Sequence, residues 1–323
     1  MALNYTLDTF KIYDEEFATA YIEQLQQEVN LWNSNSGGAL VLTTESIKGN
    51  FEMKSIFKEL ATADIMKHRD PSSVATITAE TLDMIEQRGL KINRYTFIQK
   101  TADAFAKLGM DSEATFSQLV GSATAMAQAE DAINTLIASL KGAIGSEATM
   151  VTDLTGAKFD YKAINSARFK FGDKFSRVTA LLMHSNTAQG LADMAIDEKL
   201  VNVGGIAVNT GTWASLGIPV LITDSPELVN GANFDVLCLT SEAGVWIDSE
   251  TPRAYTDFDM TTENTMLRMK RETASNIMIK GYSYTGTGVS PTNADLKDKT
   301  KWAKFATDVK NTAGVLLNVK ATA

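Results

Sequence analysis

The chain has 323 residues, 44% of them hydrophobic, enough to build two modest domains or one elaborate one. Its formal net charge of -9 is mixed along the sequence rather than blocked, so no basic face of the kind that attracts nucleic acid is written into it. No stretch approaches the roughly 18 apolar residues of a spanning helix, and the acidic start MALNYTLDTFKIYDEEF lacks the basic flank and apolar segment of a secretory leader, so no membrane role is expected.

Asp14 can cap a first helix in which Phe17, Tyr21, Leu25 and Val29 recur every fourth residue before NSNSGG ends it. ALVLTT then reads as a strand. From there to about Lys100 the segments are polar and short of helical period. LKINRYTFIQKT alternates, with Ile92, Arg94, Thr96 and Ile98 on one face and Lys91, Asn93, Tyr95 and Phe97 on the other. This region lacks the apolar density of an independent core. It is also locally basic, with Lys67, Arg69, Arg88, Lys91, Arg94 and Lys100 against Asp70, Glu80, Asp83 and Glu86. An extended arm packed on an acidic neighbour accounts for both facts and makes Arg69, Arg88, Lys91 and Arg94 the candidate contacts between subunits.

The strongest periodic signal follows. From Ser112 to Lys141, Phe116, Leu119, Val120, Ala123, Met126, Ile133, Leu136, Ile137 and Leu140 sit at spacings of three and four. Asp111 or Ser112 is the expected cap, and Gly142 and Gly145 the expected terminators. A helix of about thirty residues is ~45 Å long, enough to span a domain as its backbone. Beyond it SRVTALLM reads as a strand, SNTAQGLADMAIDE as a helix, GIPVLITD as a strand, and FDVLCLTSEAGVWI as strand, turn and strand. TMLRMKRETASNIMIKGYSYT reads as two strands joined by a short turn. The tail from Gly286 to Ala323 is polar but keeps Trp302, Phe305 and AGVLLNV, so a folded extension is expected.

Residues that could carry chemistry are few. Cys238, the single cysteine, lies in FDVLCLT, where it can form no internal disulfide and is expected as a buried thiol suited to a reducing cytoplasm. His68, His184 and Cys238 are far apart and in no ligand spacing, so neither a metal nor a cofactor is expected. His184 and Ser185 stand where a strand gives way to a helix. A nucleophilic serine needs a base within reach, adjacent residues leaving a strand diverge, and Ser185 reads instead as the helix N-cap. VGGIAVNTGTW and the GTG at Gly286 to Gly288 complete no phosphate-binding motif. Asp257, Asp259 and Glu263 in DFDMTTE lack the glycine and length of a calcium loop and read as a solvated strand edge. Met260, Met266, Met269 and Met278 read as core or interface filler.

The order of parts then carries a resemblance. LLMHSNTAQGLADMAIDEKLV followed by TWASLGIPVLITDSPEL is similar to the strand, His-Ser helix start and later Leu-Gly-x-Pro-Val strand of the major capsid proteins of tailed double-stranded DNA bacteriophages. TMLRMKRETASNIMIKGYSY looks like the final strand pair of that family, and SPTNADLKDKTKWAKFATDVKNTAGVLLNVK like a C-terminal extension in one of its branches. The resemblance implies an α+β, Hong-Kong-97-like capsid fold. Its parts would be an N-terminal arm and helix (1–36), an extended β loop over an adjacent subunit (37–100), a peripheral domain with a long spine helix (101–174) and an α/β axial domain (175–255). Residues 256–323 would return to the peripheral domain and add the C-terminal extension.

By the same resemblance the chain self-assembles into pentamers and hexamers of an icosahedral head enclosing double-stranded DNA, has no enzymatic activity and needs no cofactor. It would be a virion component assembled in the host bacterial cytoplasm. A separate scaffolding protein is expected, because the first helix starts by Asp14 where some relatives carry a cleaved scaffolding segment. A portal protein, a decoration protein and non-specific packaged DNA are the other expected partners. Two alternatives remain open at this point: a hydrolase using Ser185 and His184, and another self-assembling phage part, a tail or decoration protein.

Overall fold

The computed structural model describes residues 30, 32–44, 51–57, 69–74, 76, 79, 84–101, 111–155, 159–197, 218–249 and 253–320. The helix expected from Asp14 through Val29, together with His68 and VGGIAVNTGTW, lies outside them. Chain order runs β1 (Leu40–Thr44), β2 (Phe51–Phe57), β3 (Met84–Thr101), the long helix α1 (Asp111–Gly145) and β4 (Val151–Leu154). Helix α2 (Tyr161–Arg168) and a 3-10 segment (Phe169–Arg177) lead to β5 (Val178–Met183), α3 (Ser185–Asp197) and β6 (Val220–Ile222). Next come β7 (Val229–Asn230), β8 (Asn233–Thr240), β9 (Gly244–Asp248) and β10 (Arg253–Asp259). The chain closes with β11 (Met266–Ile279), β12 (Tyr282–Tyr284), a short helix (Asn293–Lys297), β13 (Trp302–Lys304) and β14 (Gly314–Lys320).

These strands make an eight-stranded and a six-stranded sheet. β11 is the axis of the larger one. It pairs antiparallel with β3 from Met266↔Thr101 to Ile277↔Leu90. Its other edge takes β10 along Met266 to Glu272 and then β9 along Ser275 to Ile279. The two strands expected across this stretch are therefore one. Ala274 to Asn276 have little strand propensity of their own, but the unbroken ladder with β3, joined by β9 from Ser275 on, overrides it. The turn falls later, at Lys280–Gly281, where Gly281 takes φ +80° to bring β12 back. β8 and β9 also differ from a simple hairpin: across Ser241 to Ala243 the chain leaves the six-stranded sheet and enters the eight-stranded one.

Helix α1 runs for 35 residues, about 52 Å, and is rich in alanine, the strongest helix former. From Val120 to Asp131 buried and exposed residues alternate along it. From Ala132 to Ile144 nearly every residue is buried, because this half is wedged between the two sheets. Gly142 does not terminate the helix as its type suggested. A Cβ there would meet the Leu296 carbonyl oxygen at 2.0 Å and the Trp302 indole nitrogen at 2.8 Å, so the glycine admits the C-terminal region against the helix. Trp302 Nε1 donates to that same Leu296 carbonyl at 2.8 Å. Gly145 is the last helical residue.

The smaller sheet runs β4-β14-β8-β5-β6, with β7 on β8. Its strands are apolar on both faces: Leu181, Leu182, Val236, Leu237, Leu239, Val315, Leu317 and Val319 are all buried. The tail is thus folded, as expected, and β14 is an interior strand between β4 and β8. One contiguous core joins both sheets to α1.

Candidate assembly surface

The histidine–serine pair is resolved by local geometry. Helix α3 opens at Ser185, and His184, not Ser185, occupies the capping position. The His184 carbonyl accepts from the Thr187 and Ala188 amides, both at 3.0 Å, and its Nδ1 accepts from the Asn186 amide at 3.2 Å. The N-cap expectation for Ser185 is corrected accordingly. The two side chains do not diverge either, since the helix turn brings Ser185 Oγ to 3.4 Å from Nδ1. That nitrogen is a poor base for Ser185, because its lone pair is shared with a backbone amide. Asp224 stands 3.9 Å from Nε2 with its side chain 77% exposed, and the imidazole packs on Phe234 with ring centroids 4.8 Å apart. What the residues form is a capped helix start against an aromatic wall.

Cys238 is fully buried on β8, and burial pushes its thiol pKa up to about 12, which suppresses the thiolate. Asp259 ends β10 and pairs with Arg268; hydrogen bonds from the Thr261 hydroxyl and amide, the amide at 2.9 Å, hold its carboxyl below the ordinary range, with Arg268 adding to them. Asp257 and Glu263 are exposed beside it, so the carboxylate run is a strand edge and turn. Among the described residues no group of three or more metal-ligating side chains converges, and no helix is long and apolar enough to cross a membrane. The Gly286–Gly288 stretch is a loop packed on the Tyr284 ring at Gly286 and open at Gly288.

The structure separates the four cations of the arm. Arg69 is exposed and Arg88 half-buried. Lys91 is 4% exposed. Arg94 turns inward: Nε donates to Asp131 Oδ2 of α1 at 2.9 Å, and a terminal nitrogen lies 3.4 Å from Thr135 Oγ1 and from Asn293 Oδ1. The alternation read along β3 holds. Arg94, Thr96 and Ile98 are half-buried on the face toward α1, while Asn93, Tyr95, Phe97 and Gln99 are exposed. Phe97, Lys270 and Tyr255 lie in register across β3, β11 and β10, and the Lys270 ammonium sits 5.9 Å from the centroid of the Tyr95 ring. An exposed aromatic row of this kind marks contact surfaces more strongly than scattered charges do. It was visible in the alternation; missing was the knowledge that α1 covers the other face.

Behind this surface a polar strap ties the sheets together through α1. Lys141 pairs with buried Asp235 of β8 and donates to the Glu227 carbonyl at 2.8 Å. Glu227 pairs with Lys297 and accepts from Asn293 at 3.3 Å, and Asn293 in turn meets Arg94 of β3. Burial raises the Asp235 pKa, against the opposing pull of Lys141. This chain of partners links β3 of the larger sheet to β8 of the smaller one through α1.

Comparison with known proteins agrees with this architecture. The family model for Gp13-like proteins, described as major capsid protein 13-like, matches residues 9–316. No curated protein matches the sequence. Among solved structures, the chain is similar to one from the cyanophage Pam1 capsid asymmetric unit, with TM-score 0.57, 9% identity, and 87% of this chain and 88% of that one covered. A chain from Microbacterium phage Oxtober96 gives TM-score 0.56 and 11% identity over 86% and 89%. One from the capsid of Ralstonia phage GP4 gives 0.54 and 8% over 89% and 88%. At such identities the likeness lies in the fold, and the fold is the α+β capsid fold.

Proposed function

We propose that this chain, which belongs to the Gp13-like family of major capsid proteins and is a structural subunit of a phage head, closes into pentamers and hexamers of an icosahedral shell around double-stranded DNA. The observation that carries this reading is the family match across residues 9–316. Repetition of many modest contacts is what a shell requires, and head-to-tail contacts that close make rings. In this reading residues 37–100 are the loop laid on an adjacent subunit, with Arg69, Arg88, Lys91 and Arg94 as contact or supporting residues and the Tyr95–Phe97–Tyr255 face as the surface offered. Residues 1–36 are the N-terminal arm and helix, 101–174 the peripheral domain, 175–255 the axial domain and 256–323 the return with its extension. β9 pairs within the eight-stranded sheet that holds β3, and β14 within the sheet of β5 and β8.

The subunit acts without catalysis, as a virion component assembled in the host cytoplasm. Its partners are a separate scaffolding protein, a portal protein, a decoration protein and the packaged DNA. Negative-stain microscopy of the chain expressed alone and with its neighbouring gene products tests the reading. Closed shells, or rings of five and six, are the expected result, and Ser185→Ala is expected to assemble like the wild type. A monodisperse monomer or dimer under every condition would overturn it.

A further inference from the structure

Two exposed features beside the smaller sheet are chemically complementary. On the β4 flank, Phe169 and Phe175 of the 3-10 segment stack with ring centroids 5.0 Å apart and are 53% and 37% exposed. Arg168 lies 5.6 Å from the Phe175 centroid. Four cations of this stretch, Arg168, Lys170, Lys174 and Arg177, face one acid, Asp173, in a chain of net charge -9. Lys170 moors the segment to this side by donating to the Thr149 and Val151 carbonyls at 2.9 and 2.6 Å. The segment runs on into β5, whose Met183, at the end away from it, lies in register with Ile222 of β6, the last strand of this sheet among the described residues. It presents Ile222, 51% exposed, followed by the exposed carboxylate of Asp224.

We propose that these are the two halves of one head-to-tail contact: the Phe169–Phe175 face of one subunit receives the β6 edge of a second copy, with Ile222 against the rings and Asp224 toward Arg168 and Lys174. Charge complementarity names the occupant, basic and aromatic on one patch, acidic and apolar on the other. Because the two halves are different patches of one chain, the contact is heterologous and can close into a ring, where a self-matching patch would give a two-fold dimer. Duplex DNA is the weaker occupant. Lys170 is committed to carbonyls, Arg177 donates to the Lys310 carbonyl at 3.1 Å, and stacked rings have no role against a phosphate backbone. The contact rests on the capsid reading above and assigns residues to the ring that reading requires.

Sedimentation velocity and native mass spectrometry on the full chain test it, with wild type, Phe169→Ala/Phe175→Ala and Ile222→Ala/Asp224→Lys in parallel. Each variant is expected to need about tenfold or more protein to assemble, as loss of a buried aromatic or charged anchor does. Mixed one to one, the two variants should yield dimers that stop there, because each brings one intact half. Lys174→Glu with Asp224→Lys in one chain should recover rings. Milder Leu and Asn replacements at the same positions, with unchanged thermal melts, separate contact from folding. Variants that assemble like wild type, a mixture without dimers, or loss of duplex DNA binding with rings retained would each overturn the contact while leaving the capsid reading in place. A wild-type chain that forms neither rings nor shells would overturn both.

Discussion

Single residues show how far burial governs chemistry in this subunit. Cys238 is inert because its thiolate would sit without solvent on an interior strand; a thiol reagent is expected to label it only as fast as the protein unfolds, and rapid labelling of the native chain would contradict that. Asp248 on β9 is the more informative group. Burial, opposed by Arg271 and a 3.5 Å contact from Ser275, raises its pKa from 3.8 to about 6. The folded state therefore holds a proton there that the unfolded chain releases near pH 4. Stability from this group is full below that pH and declines as pH rises through 6, by roughly 3 kcal/mol at most. Asp248→Asn removes the titration, so denaturation curves of the two proteins should diverge between pH 4 and 6, with wild type losing ground as pH rises. Parallel profiles would refute the assignment. The apolar run around Cys238 predicted its burial, whereas no local pattern marked the environment of Asp248.

At the scale of elements, periodicity predicted existence well and ends less well. The long helix, the alternation of β3 and the strand at β5 follow from spacing alone, because a 3.6- or two-residue period is a local property. The division of β11 into two strands failed because its middle is held by β3, β9 and β10, all distant in sequence. Gly142 misled for a related reason: a glycine late in a helix ordinarily marks a C-terminus, whereas here it opens room for Leu296 and Trp302. Gly142→Ala is expected to destabilise by about 3 kcal/mol through overpacking against backbone, despite the better helix propensity of alanine. An unchanged or raised melting temperature would mean that the C-terminal region gives way there.

For the whole molecule, the tail is the clearest case. Deleting residues 314–323 removes β14, an interior strand whose Val315, Leu316, Leu317 and Val319 are buried. Four such side chains contribute about 6–12 kcal/mol, as much as the entire stability of an ordinary domain. The truncated chain is expected to be insoluble, and a soluble, cooperatively melting product would show that the sheet closes without it. The sequence by itself determined that there would be a folded α+β chain with one oversized helix and an alternating strand before it, since composition and period are read residue by residue. Its motifs also pointed to the capsid family. Only the tertiary structure decided that Arg94 turns toward α1 and Lys91 is buried while Tyr95, Phe97 and Tyr255 face out, that β14 completes the sheet begun by β4, and that Phe169 and Ile222 are both exposed. Those facts depend on pairings between residues dozens to hundreds of positions apart, and no local pattern encodes which partner wins that competition.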